Sequence, residues 1–152
     1  LSAIFGLVAA LAVDVGQSTA GGGLQFNRGS YVGLSGGFGT FTMGNVWTAL
    51  DDVWFIPNAA FDSSFAPGTD VLSANGYNAI PGNTFKYVSP DLGGLVGSVS
   101  YKGKGAGIIK QTDFSLKYEA GPITAAMGYQ QRDNTATNTK AKVTGVGTQP
   151  AT

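Results

Sequence analysis

Phe85-Lys86-Tyr87-Val88-Ser89-Pro90-Asp91-Leu92-Gly93-Gly94-Leu95-Val96-Gly97-Ser98-Val99-Ser100-Tyr101 decides the fold. Successive side chains of a strand point to opposite faces. Phe85 and Tyr87 therefore share a face opposite Lys86 and Val88. After a Pro/Gly turn, Leu95, Val99 and Tyr101 share a face opposite Ser98, Ser100 and Lys102. The segment predicts a β-hairpin with one apolar and one polar face. In a soluble sandwich the apolar face points into a core. In an outer-membrane barrel it points at lipid, and the polar face lines water.

The same period of two runs through most of the chain. Val32 and Leu34 lie opposite Tyr31, Gly33 and Ser35, and Phe41 and Met43 lie opposite Thr40, Thr42 and Gly44. Phe114, Leu116 and Tyr118 lie opposite Ser115, Lys117 and Glu119. Ile123, Ala125, Met127 and Tyr129 lie opposite Thr124, Gln130 and Arg132. A further strand is expected near Lys140, giving about seven or eight strands. Ile4 to Val13 reads as a strand of barrel length, although a leader-type apolar segment is a competing reading. Tyr87, Tyr101, Tyr118 and Tyr129 are expected near strand ends on the apolar face, as interfacial girdles.

Connection lengths alternate. The turns at 36–39, 90–93 and 120–122 are short, whereas 16–27, 46–83, 103–110 and 133–139 are longer. Short turns on one rim and long loops on the other are the pattern of an outer-membrane barrel. A structureless connection as long as 46–83 is uncommon and usually functional. It carries Trp47, Trp54, Phe55, Phe61, Phe65 and Tyr77, together with Asp51, Asp52, Asp62 and Asp70. No Lys or Arg occurs between Arg28 and Lys86. Folded inward, this loop would set its acids across the lumen from a basic wall.

Composition narrows the chemistry. Glycine is 24 of 152 residues, and charged residues are 12% of the chain, about half the ordinary share. Lys plus Arg equals Asp plus Glu at 9 each, so charge balance gives no support for a nucleic-acid partner. Cys and His are both absent, which removes thiolate chemistry, His-dependent triads and most zinc sites. Gly36-Gly37-Phe38-Gly39 lacks the Lys-Ser/Thr pair and following helix of a phosphate loop, and reads as a hairpin turn. Asp51 and Asp52 are adjacent, and adjacent residues seldom face one target, so a paired-acid hydrolase is not expected. No enzyme activity and no cofactor are expected.

Three blocks carry a resemblance. Phe26 to Gly44, Lys86 to Leu95 and Tyr118 to Ala125, in that order and with a long acidic loop after the first, resemble the general porins of Gram-negative bacteria. The resemblance covers about residues 13–132. It implies an antiparallel transmembrane barrel of about sixteen strands, in which 1–152 is a partial barrel domain supplying about half. It also implies a homotrimer in the outer membrane, with the loop at about 46–83 narrowing a water-filled pore for small polar solutes and ions. Half a barrel leaves open edges that lipid does not tolerate. This segment alone is therefore not expected to form a pore.

Arg28 matches a basic wall residue of the family's constriction. Lys86, Lys117 and Arg132 face inward by alternation, since a charge facing lipid costs about 2–4 kcal/mol at mid-bilayer. With Asp51, Asp52 and Asp62 on the loop, they form the candidate pore constriction. Where the family carries a basic residue after Met43-Gly44, this chain has Asn45, which weakens the basic wall. Two further readings stand beside this one. One is a small closed barrel or adhesin that sends 46–83 outward to a partner. The other is a soluble glycan-binding sandwich.

Overall fold

Period-two alternation becomes strands along most of the chain. The structure, a computed structural model, describes residues 1–12, 17–18, 25–54, 56, 78–103, 110–133 and 140–150. The strands are β1 (Ser2–Val8), β2 (Leu11–Ala12), β3 (Gln17–Ser18), β4 (Gly29–Gly36), β5 (Gly39–Asn45), β6 (Thr84–Val88), β7 (Leu95–Lys102), β8 (Gln111–Ala120), β9 (Ile123–Asp133) and β10 (Lys140–Pro150). Eight of them form one sheet in the order β1-β4-β5-β6-β7-β8-β9-β10, while β2 and β3 pair only with each other. Every neighbouring pair is antiparallel. Among the described residues β1 and β10 are the two open edges of this sheet.

The first strand is shorter than its apolar run. β1 stops at Val8, where it meets Gly29 at the start of β4. Leu11 and Ala12 turn away to pair with Ser18 and Gln17. The apolar stretch thus divides between a sheet edge and a small separate ribbon.

Hairpin geometry fixes the register. Ala120 pairs with Ile123 across Gly121-Pro122, and Gly36 pairs with Gly39 across Gly37-Phe38. In the deciding hairpin the Asp91 carboxylate accepts the Gly94 N–H, and Leu92 N–H donates to Leu95 C=O. Gly94 holds φ +91°, and a Cβ there would lie 2.1 Å from the Glu119 carbonyl oxygen, so only glycine fits. Short turns and long connections alternate along the meander, which sorts them onto opposite rims.

The two faces are inverted relative to a soluble protein. Phe5, Val32, Phe85, Val99, Phe114 and Met127 on the outer face are 40–78% exposed. Ser98, Ser100, Lys102, Gln111, Asp113, Ser115 and Gln130 on the other face are buried at 1–4%. No charged side chain takes an outward position in β1 or β4 to β8. The outward polar residues Ser30, Thr112 and Gln131 gather at the long-connection ends of their strands. Phe41 and Phe85 stack on the outer face with ring centroids 6.3 Å apart. Tyr87 and Tyr118 stand near the short-turn rim and Tyr101 near the other. Tyr129 instead lies towards the middle of β9, because that strand runs on to Asp133.

Candidate functional site: the loop seated on the polar face

What buries the polar face is the connection between β5 and β6, which spans 46–83. Its described residues turn inward onto the sheet. Residues 48–54 make a helical turn, with Asp51 N–H donating to Thr48 C=O and Trp54 N–H to Leu50 C=O. Residues three apart share a face of such a turn, so Leu50 and Val53 point the same way. They form a small buried cluster with Ile56 and Ala126 of β9. Gly128 provides the notch for it. A Cβ at 128 would lie 2.4 Å from Leu50 Cδ1 and 3.0 Å from Val53 Cγ2.

Beside this contact the polar face bonds the loop. Lys86 Nζ meets Asp52 Oδ1 at 2.5 Å, and Ser98 Oγ donates to Asp52 Oδ2 at 2.8 Å. Ser100 Oγ accepts the Ala49 N–H at 2.9 Å. The Lys86 side chain is only 11% exposed and also reaches the Thr48 carbonyl at 3.4 Å. The acids were expected across a lumen from the cations. Asp52 instead touches the basic wall directly, because the notch lets the helical turn sit against it.

The returning limb is held differently. Gln130 Oε1 accepts the Asn78 N–H at 3.3 Å, and Gln111 Nε2 donates to the Asn78 carbonyl at 3.1 Å. Two side-chain amides thus clamp one residue's backbone. Asp113 orients both, accepting from Gln130 Nε2 at 2.6 Å and from Gln111 Nε2 at 3.2 Å. It also accepts from Ser100 Oγ at 2.9 Å. Since Gln130 gives its NH₂ to Asp113, its carbonyl oxygen is left facing Asn78. Lys102 Nζ donates to the Pro81 carbonyl at 2.5 Å, and Thr48 N–H donates to Ala79 C=O at 2.9 Å, joining the two limbs.

The candidate residues fall into separate groups. Asp52 and Lys86 are an ion pair in the loop seat. Arg28 and Asp51 line, with Lys86 and Asp52, a cavity of about 620 Å³ between the loop and β1, β4, β5 and β6. Arg28 precedes β4 in a bend rather than opening the strand, and its backbone N–H donates to Val8 C=O. Arg132 lies in the row of Gln111 and Lys102, at the long-connection end. Lys117 lies one row nearer the short-turn rim than Ser115, and its ion pair is with Glu119 at 3.0 Å. Asp62 is outside the described residues, as are Asp70, Phe55, Phe61, Phe65 and Tyr77. Gln111, Gln130 and Lys102, not among the candidates, hold the returning limb, and Asp113, also not among them, orients the two glutamines. Among the described residues no group of acids could hold a metal ion.

An antiparallel meander with an apolar outer face, a polar inner face and sorted loops is the wall of an outer-membrane β-barrel. Residues 3–151 match the Gram-negative porin family, and the chain belongs to it. That family places it in the bacterial outer membrane. The anion-selective porin from Comamonas acidovorans is similar in structure, with a TM-score of 0.65 at 19% identity. That match covers 95% of this chain and 46% of the Comamonas chain, so this chain spans just under half its length. No curated protein matches the chain.

Proposed function

We propose that the protein to which this chain belongs is a homotrimeric outer-membrane channel, without enzymatic activity. Small hydrophilic solutes and ions diffuse through it passively. The observation that carries this reading is the 46–83 connection. Its described residues fold onto the polar face and are tied there from both limbs. A loop seated on the inner face narrows the lumen, and charges held between low-dielectric walls focus the field that sorts ions. An adhesin would need that loop outside, where a partner could reach it.

The test is conductance of the full-length protein in a planar bilayer, with vesicle swelling in sugars of graded size. Stepwise currents and a size cut-off support the channel. Reconstituted protein that carries no current, with sugars excluded alike, overturns it. Native mass spectrometry of the detergent-extracted protein tests the trimer.

A further inference from the structure

Away from the notch that seats Leu50 and Val53, the inner face carries a second apolar area, on β1 and β6. Ile4 and Val8 of β1 occupy inward positions opposite Gly33 and Gly29, and Val88 of β6 is inward opposite Thr40. These three line the 620 Å³ cavity together with Tyr31 and Trp47. Val8 is 48% exposed and Trp47 39%. Apolar side chains left open on a wall that should be wetted are costly, and such a patch rimmed by polar groups marks a binding groove. Among the described residues of the loop, the buried apolar side chains Leu50, Val53 and Ile56 cluster with Ala126 of β9 and not with this patch.

The charges around the cavity are unequal in what they still offer. Lys86 is already engaged by Asp52. Arg28 is exposed and makes no ion pair among the described residues. A guanidinium binds carboxylate through a planar fork of donors, and beside apolar surface that bond is less screened by water. Arg28 also adjoins the apolar patch, since its backbone bonds to Val8. The cavity therefore sets a cation next to an apolar wall with an aromatic edge.

We propose that this cavity is a binding subsite for small monocarboxylates with an apolar body, the carboxylate at Arg28 and the body against Ile4, Val8 and Trp47. The proposal rests on the channel reading, because solute reaches the cavity from the lumen. Its test does not use current. The full-length protein in lipid nanodiscs is titrated with acetate, butyrate and hexanoate by saturation-transfer NMR, with empty nanodiscs as the background.

Full burial of a methylene is worth about fourfold in affinity. In a half-open cavity the dissociation constant should fall at least about twofold for each methylene added. Arg28→Gln should weaken all three acids about tenfold, the usual share of a charge-assisted hydrogen bond, and leave hexanol unchanged. Val8→Ser should flatten the chain-length series without altering acetate. Both side chains are open to solvent, so neither change threatens the fold. Absence of saturable binding above empty nanodiscs overturns the subsite. So does a hexanoate affinity that Arg28→Gln leaves intact. A protein that carries no current but shows the chain-length series would overturn the channel and keep the subsite.

Discussion

The loop has two flanks, and they are built on opposite terms. Toward β6 to β9 it meets a wall of Lys86, Ser98, Ser100, Gln111 and Gln130, whose hydrogen bonds and ion pair surround one small apolar contact at Ala126 and Gly128. Toward β1 and β4 it faces Arg28, Ile4, Val8 and Tyr31 across an open cavity. One sheet face therefore both fixes the loop and leaves space beside it. The difference comes from which strands carry inward polar side chains. It shows that the seat of an inward-folded loop can be set by side-chain chemistry on one part of the wall, with no change in backbone architecture.

The hydrogen-bonded flank depends most on Asp113. Asp113→Ala removes the acceptor shared by Ser100, Gln111 and Gln130 and leaves buried donors without it. We expect a loss of about 3 kcal/mol. It is read from urea unfolding of the full-length protein in vesicles, together with faster proteolysis near Asn78. An unaltered midpoint and cleavage rate would remove Asp113 from the clamp.

Gly128→Val comes next. The added side chain meets Leu50 and Val53, and overpacking of this kind costs about 1–3 kcal/mol. Leu50→Ala in the same background should recover much of that loss. Strictly additive effects would show that the loop does not seat in the notch.

At the ion pair the two partners act with opposite sign. Asp52→Asn removes a negative charge and exposes that of Lys86, so the reversal potential in a salt gradient should move toward anions. Lys86→Gln should move it toward cations and loosen the helical turn by about 1 kcal/mol, modest because Asp52 stays 35% exposed. Shifts in the same direction would contradict the pairing. Lys117→Gln is the smallest change. Its pair with Glu119 is partly exposed at 33% and 55%, so stability should fall by less than about 0.5 kcal/mol. A large change in selectivity would place Lys117 nearer the narrowest point than its row suggests.

Much of this was legible in the residues. Alternation assigned Phe85, Val99 and Phe114 to one face and Lys86, Ser98 and Ser115 to the other, as the ladders show. Loop length and aromatic content singled out 46–83. Only half of the clamp is accessible from the residues. With Gly121-Pro122 as the turn, hairpin register sets Asp113 opposite Gln130. That Gln111 and Gln130 then grip Asn78 depends on contacts 33 and 52 residues apart in sequence. Alternation says which way a side chain points, and nothing about which segment returns to meet it. The same limit hid Gly128, whose role appears only once Leu50 lies over it. The apolar run from Ile4 to Val13 outlasts β1, because apolar content alone does not show where pairing with β4 ends.

The clamp on Asn78 also orders events in time. Its partners lie at 111 and 130, on strands made well after the loop emerges. Neighbouring hairpins close early because their contacts are local, whereas long-range contacts wait on loop closure. The returning limb thus has no complete docking site until β8 and β9 stand side by side. Docking of the returning limb should therefore follow the pairing of β8 with β9. A chain stalled before β9 would carry an unmoored loop, a state that cellular proteases could distinguish from the finished wall.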